Sequence, residues 1–120
     1  MRRLRWLPPA GWAALILTLS SVPAPAFAVS SGFPGADKLA HAGLFAILGW
    51  LSFRALLPES SGARAVLLTF VAVAAFGALD EWHQRFVPGR FPEAWDVVAD
   101  VCGGAVGTLA AAMRRRAKYP

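Results

Sequence analysis

Four apolar blocks, separated by short polar or turn-forming segments, make up most of the chain. They run over about 8–27, 39–57, 65–79 and 97–113. A polar connection at 58–62 separates the second block from the third, and a proline-containing segment at 87–92 separates the third from the fourth. Most of these blocks approach the roughly 20 residues that a helix needs to cross a bilayer.

Each block is predicted to be a helix, because a backbone in lipid must satisfy its own hydrogen bonds. The third block is short, so we extend it through Trp82, which places Glu81 close to its end. The sequence therefore predicts an all-α fold, an integral membrane bundle of four transmembrane helices in one domain over 1–120. The predicted helices cover about 8–27, 39–57, 65–82 and 95–113.

The composition agrees with a membrane protein. The chain is 57% hydrophobic and 16% charged, with a mean hydropathy of +0.50, which is more apolar and less charged than soluble domains. The net charge of +5 does not indicate a nucleic-acid partner, because the basic residues flank the apolar blocks. The single cysteine, Cys102, excludes an internal disulfide. Its neighbours Val101 and Gly103 predict that it is buried.

Basic residues are concentrated on one side of the predicted bundle. With the N-terminus inside, nine of the 12 Lys and Arg residues lie on the inner side, as the positive-inside rule requires, and both termini are cytoplasmic. These nine are Arg2, Arg3, Arg5, Arg54, Arg64, Arg114, Arg115, Arg116 and Lys118. Most acidic residues fall on the outer side, namely Asp37, Asp80, Glu81, Glu93, Asp96 and Asp100.

The first block also has an alternative interpretation. Arg2, Arg3 and Arg5, followed by an apolar stretch and Ala26-Phe27-Ala28, fit a cleaved signal peptide. Cleavage would leave three spans with the same orientation, so the charge pattern does not decide between the two interpretations.

Polar residues are predicted to gather at the outer end and to form a binding site. Asp37 and His41 are four residues apart and share a helix face, as do Asp96 and Asp100. Asp100 lies about one turn inside the last apolar block, where a carboxylate indicates a partner or a water-filled cleft. The predicted binding residues are Asp37, Lys38, His41, Glu81, Gln84, Arg90, Asp96 and Asp100.

This constellation predicts a site for a phosphate, such as a lipid head group. The second and fourth helices begin at the outer end, and helix N-termini favour anions. Lys38, Arg85 and Arg90 lie at the same level. The candidate catalytic residues are Glu81 or Asp96 as general base and His41 as general acid or phosphate partner; Arg90 would stabilise charge. No metal or cofactor is predicted, and the zinc-enzyme spacing of histidines is absent. A divalent metal held by Asp37, His41, Glu81 or Asp96 is the alternative.

The same residues have a structural interpretation. Asp37 would cap the second helix, while Arg90 with Asp96, or Lys38 with Glu81, would form ion pairs that hold the bundle together. His41 would then be a hydrogen-bonded residue between helices.

Small residues in the fourth block predict close helix contact. Gly103 and Gly107 are spaced for packing against another helix, and oligomerisation through the same face is the alternative. The predicted partners are therefore the lipid bilayer, an anionic or polyprenyl-phosphate lipid at the outer face, and a second copy of the chain.

The polar motifs together resemble a known family. Asp37-Lys38-x-x-His41, Glu81-x-x-Gln84, Pro88-Gly89-Arg90 and Asp96-x-x-x-Asp100 with Gly103 and Gly107 resemble the VanZ-like family of teicoplanin-resistance-associated integral membrane proteins. Leu19-Ser20-Ser21-Val22-Pro23 resembles the end of that family's first membrane helix, which argues against cleavage. The resemblance covers nearly the whole chain. It implies a multi-pass protein of the bacterial cytoplasmic membrane with an outward polar site, and it supplies no reaction.

Three functions remain in competition at this point. The first is a membrane protein whose outer site binds an anionic envelope lipid or cell-wall precursor and so modulates teicoplanin susceptibility. The second is a membrane enzyme acting on a phosphorylated lipid, of the phosphotransferase or phosphatase type. The third is a structural helical bundle that supports a partner.

Overall fold

The computed structural model describes residues 2–22, 35–90 and 93–119. In this part of the chain the α-helices are α1 (Leu7–Ser20), α2 (Ala36–Leu56), α3 (Gly62–Gln84) and α4 (Ala94–Lys118). Short 3-10 turns precede α1 at Leu4–Trp6 and follow α2 at Leu57–Glu59. The described residues contain no strand, so the all-α prediction is confirmed.

The start of α2 differs from the expected one. Gly35 is the N-cap residue, with a left-handed φ of +84°, a conformation that glycine adopts without steric cost. Asp37 lies in the first turn of the helix, so its expected role as the N-cap residue is wrong. Its carboxylate still lies where the positive end of the helix dipole favours an anion.

The last two helices are longer than the sequence predicted. At the start of α3, Ser61 is the N-cap residue, and its Oγ accepts a hydrogen bond from the backbone N–H of Arg64 at 3.3 Å. The C-terminal end of α4 continues beyond Met113 to Lys118, because Arg, Ala and Lys all favour helix. These extra turns carry a basic segment as a continuation of the helix.

Three helical segments are long and apolar enough to cross a membrane, by length and composition. They are Asp37–Glu59, Gly62–Gln84 and Ala94–Lys118. The 14 residues of α1 fall short of the roughly 20 that a span needs. A first span over 8–27 was predicted, but its residues 23–27 lie outside the described residues.

The contact between α2 and α4 is the most extensive in the bundle, and it depends on small residues. A Cβ added to Gly103 would overlap the backbone of Ala42, and one added to Gly107 would overlap the backbone of Ala46. The predicted packing role of both glycines is therefore confirmed within one chain. Oligomerisation through this face would require α2 to move away, and it stays a prediction.

An apolar cluster joins α1 and α3 to α2. It is formed by the buried side chains of Ile16, Phe45, Leu48 and Val73. Trp12 adds a directional contact, because its Nε1–H donates to the carbonyl of Leu44 at 2.8 Å. This cluster lies directly beneath the polar end of the bundle.

The outward faces of the long helices are apolar. Leu67, Val71 and Leu79 of α3 and Val106 of α4 are exposed, as expected for side chains that contact lipid. Cys102 is also exposed, so its predicted burial is wrong. Gly103 and Gly104 take the buried face of this turn, and Cys102 points away from it.

Charges separate toward the two ends of the bundle. At one end Lys38 of α2 contacts Asp96 of α4, and we call this the acidic end. At the other, Arg5 pairs with Glu59, and Arg115 of α4 lies against the first residue of α3; we call this the basic end. The cytoplasmic location of the basic end stays a prediction.

Candidate functional site

A lysine with three carboxylate neighbours joins α2 to α4 at the acidic end. Lys38 Nζ lies 2.9 Å from Asp37 Oδ2, 2.9 Å from Glu93 Oε2 and 2.6 Å from Asp96 Oδ1. The Lys38 side chain is 30% exposed and that of Asp96 10%. Three anions around one cation leave Lys38 with little positive charge to offer a ligand. The ion pairs expected between Lys38 and Glu81 and between Arg90 and Asp96 are replaced by this network.

A histidine–carboxylate pair lies deeper in the same interface. His41 Nδ1 is 2.9 Å from Asp100 Oδ1, and Asp100 is almost fully buried. An ionised Asp100 accepts a hydrogen bond from Nδ1–H, which makes Nε2 the acceptor of the neutral ring. Nε2 makes no hydrogen bond to any described residue. Gly77 of α3 faces Asp100 and leaves room for its carboxyl group, since a Cβ there would lie 3.3 Å from Asp100 Cβ.

A second buried carboxylate lies on α3. Asp80 is 1% exposed, and its Oδ2 accepts a hydrogen bond from the amide of Gln84 at 3.4 Å. Ser20 of α1 lies next to the same carboxyl group. Within the described residues Asp80 Oδ1 has no hydrogen-bond partner. A buried polar atom without a partner costs free energy, so it needs an explanation such as a bound water or ligand.

Arg90 ties the segment after α3 to the end of α1. Its Nε donates to the carbonyl of Val22 at 3.1 Å and its Nη2 donates to the carbonyl of Leu19 at 3.2 Å. A guanidinium suits this position, because the last carbonyls of a helix lack partners and carry the negative end of the dipole. Ser21 Oγ adds a second link, 2.9 Å from Nε2 of His83.

These elements enclose a cavity of about 110 Å³ at the acidic end. One water molecule occupies roughly 30 Å³, so the space fits a small part of a head group. Ile16 and Phe45 form part of its apolar lining. Its polar lining consists of Ser20, Asp37, His41, Asp80, Gln84 and Arg90.

The structure divides the predicted site residues into three groups. Four of them line the cavity: Asp37, His41, Gln84 and Arg90. Lys38 and Asp96 form the adjoining ion-pair network, and Asp100 holds His41. Glu81 is half-buried next to Asp80 and makes no hydrogen bond to a described residue. Gln84, three residues after Glu81, donates its amide N–H to Asp80.

The sequence interpretation missed Asp80 and Ser20 as site residues. Both are buried, and Asp80 continues a row of buried small residues along α3. This row could have identified Asp80 as an inward-facing residue, because a helix face that is buried along its length stays buried at its end. Within the described residues, no set of three or more His, Cys, Asp or Glu side chains is arranged to hold a metal ion.

The chain matches a known family model. The family model described as VanZ/LLP1 matches residues 6–115, which include all of α1, α2 and α3 and most of α4. No curated protein and no solved structure matches the chain.

Proposed function

The chain belongs to the VanZ/LLP1 family, and from this premise we propose that it recognises the head group of an envelope lipid or cell-wall precursor at its acidic end. The observation that carries the proposal is Asp80, a buried carboxyl group that lines the cavity with one oxygen unpartnered among the described residues. Such an oxygen is satisfied when a ligand donates a hydrogen bond to it.

The charges around the cavity define the kind of head group. Lys38 is neutralised by its carboxylate neighbours, so attraction of an anion by Lys38 does not support binding. The Gln84 amide has a second N–H besides the one that it donates to Asp80, whereas Asp37 and Asp80 offer acceptors. A head group with hydroxyl or amino groups beside its phosphate matches this mixture better than a bare phosphate.

The proposed physiological consequence is a change in teicoplanin susceptibility. A protein that holds an envelope lipid or precursor changes how much of it is accessible at the membrane surface. We therefore expect that cells making the wild-type protein differ in teicoplanin susceptibility from cells making a variant with a blocked cavity.

The test uses the purified full-length protein and a total lipid extract of bacterial envelopes, with bound lipid read out by native mass spectrometry. Asp80→Asn keeps the size of the side chain and removes its charge. Glu59→Gln is the matched control, because it makes the same chemical change at the basic end. We expect one lipid class to be lost from Asp80→Asn and retained by Glu59→Gln, with teicoplanin susceptibility changing in parallel. Equal lipid retention by both variants would refute the proposal.

A second function is favoured by the pair of His41 and Asp100. A buried carboxylate at Nδ1 orients the imidazole and stabilises its protonated form, which is how many enzymes position a general base. The membrane enzyme acting on a phosphorylated lipid thus gains His41 as proton acceptor. Asp96 and Glu81 are less suitable as the general base. The Asp96 carboxylate is bound to Lys38, and Glu81 lies outside the lining of the cavity. Release of phosphate from the bound lipid, abolished by His41→Gln, distinguishes this enzyme from a binding protein.

A further inference from the structure

The basic end holds a second cavity, formed where α2 and α4 end. Its volume is about 260 Å³. Its charged and aromatic lining consists of Trp50, Arg54, Arg114, Arg115, Lys118 and Tyr119. An adjoining cavity of about 290 Å³, next to the start of α3, shares Arg115 and adds Arg116. Among the described residues that line either cavity there is no carboxylate.

The cations of this cavity differ from Lys38 in how they are held. Arg114 lies over the Trp50 ring, 5.7 Å from the ring centroid, and Lys118 lies 5.7 Å from the centroid of Tyr119. The guanidinium of Arg115 lies against Gly62, since a Cβ there would be 2.7 Å from its Nη1. Aromatic rings and backbone thus position these cations, and none forms an ion pair with a described carboxylate.

Glu59 does not neutralise the cavity either. It is the acidic residue at this end, and it pairs with Arg5 outside the cavity lining. The cavity therefore concentrates positive charge that the described residues leave unbalanced. An anion from outside the chain would supply the missing charge.

We propose that this cavity binds the phosphate of an anionic phospholipid. It lies at the ends of two helices that are long enough to span a membrane, where lipid phosphates are found. Trp50 and Tyr119 are residues that favour the membrane–water interface, and basic pockets between membrane helices bind anionic head groups. Leu57, a partly exposed residue of the lining, provides an apolar contact for the start of an acyl chain.

This site is independent of the head-group cavity at the acidic end, so either proposal stands without the other. The two sites lie at opposite ends of α2, and their linings share no residue. A lipid held here would fix the ends of α2 and α4 relative to the membrane surface.

The experiment compares two double variants that lose the same charge. Arg54→Gln with Arg115→Gln removes two cations from the cavity. Arg2→Gln with Arg3→Gln removes two exposed cations from the same end, outside the cavity lining. The full-length protein in detergent is titrated with phosphatidylglycerol, phosphatidylcholine or inorganic phosphate, and binding is measured by native mass spectrometry.

We expect wild-type protein and the Arg2/Arg3 variant to bind phosphatidylglycerol alike, and phosphatidylcholine and inorganic phosphate to bind weakly. The cavity variant should bind phosphatidylglycerol about tenfold more weakly or worse, as expected when two charge-assisted contacts are lost. Equal losses in both double variants would show diffuse attraction by net charge and overturn the proposal. Inorganic phosphate binding as tightly as the lipid would also overturn it. Arg54→Gln alone, an exposed position, gives the same comparison against Arg2→Gln if the double variant does not fold.

Discussion

His41 Nδ1 and Asp100 Oδ1 lie 2.9 Å apart across the contact of α2 with α4. His41 lies in the second turn of α2, and Asp100 lies just beyond the first turn of α4. Their contact gives the imidazole a fixed orientation next to the cavity. It also explains why a carboxylate is present inside an apolar block, where an unpaired charge would be costly.

The protonation of His41 provides the first prediction. With Asp100 ionised, the neutral ring carries its proton on Nδ1. Asp100→Asn weakens this preference, because the amide can also donate a hydrogen bond to Nδ1. Nitrogen-15 NMR of histidine-labelled protein should show the Nδ1–H form in the wild type and a shift of the population toward the Nε2–H form in the variant. Since the chain has two histidines, the signals are assigned with His83→Gln. An unchanged tautomer distribution would contradict the pairing.

The close contact of α2 with α4 gives the second prediction. Gly107→Ala forces a methyl group into the backbone of Ala46, and overpacking of this kind costs about 1–3 kcal/mol. Gly43→Ala is the matched control, because a Cβ at Gly43 meets nothing within 4 Å and alanine favours helix. Unfolding in mixed detergent micelles should show a lower free energy of unfolding for Gly107→Ala and no decrease for Gly43→Ala. Equal stability of the two variants would rule out this contact.

The Lys38 network gives the third prediction. Lys38→Met leaves Asp37, Glu93 and Asp96 close together without their shared cation, so it should lower the free energy of unfolding by about 1–3 kcal/mol. Asp96→Asn in the same chain should restore part of the loss, because it removes one of the repelling charges. A double-mutant cycle measures this coupling. Additive effects of the two changes would mean that the pair is too solvated to contribute.

The contact of Arg90 with α1 gives the fourth prediction. Arg90→Gln removes donors from the carbonyls of Leu19 and Val22, so the end of α1 should open more easily. Hydrogen exchange of the backbone amides near Ser20 should become faster, by about tenfold for each 1.4 kcal/mol lost. Arg85→Gln is the control, because Arg85 is exposed just beyond the end of α3. Exchange that is equally slow in both variants would refute the role of Arg90.

The helices and the clustering of polar residues could be predicted from the sequence. Apolar blocks of near-spanning length and charges confined to their ends leave few alternatives for a chain in lipid. The spacing of Gly103 and Gly107 indicated close packing correctly, and the face shared by Asp37 and His41 lines one cavity. These features depend on helical period, which a single sequence displays directly.

Partner choice within the cluster could not be predicted. Glu81 and Asp80 are adjacent in sequence, and only the rotation of α3 decides that Asp80 faces inward. That rotation is set by the packing of small residues against α4, so it depends on two helices at once. The same is true of Lys38, whose partners come from the start of α4 and the residue before it. Arg90 donates to the carbonyls of Leu19 in α1 and of Val22 just beyond it, more than 60 residues earlier in sequence.

The residues in the contact between α2 and α4 repeat every four positions, and this repeat affects how far one helix can slide along the other. Ala42 and Ala46 are four residues apart, as are Gly103 and Gly107, and Asp96 and Asp100 repeat the same interval. Sliding α4 by four residues, or ~6 Å, would place Gly103 against Ala46 and Asp96 beside His41, so the small residues alone do not distinguish the two alignments. Lys38 distinguishes the two alignments, because sliding α4 would move Asp96 away from Lys38. The ionic cluster therefore specifies a unique register for a pair of helices whose apolar contact is nearly periodic.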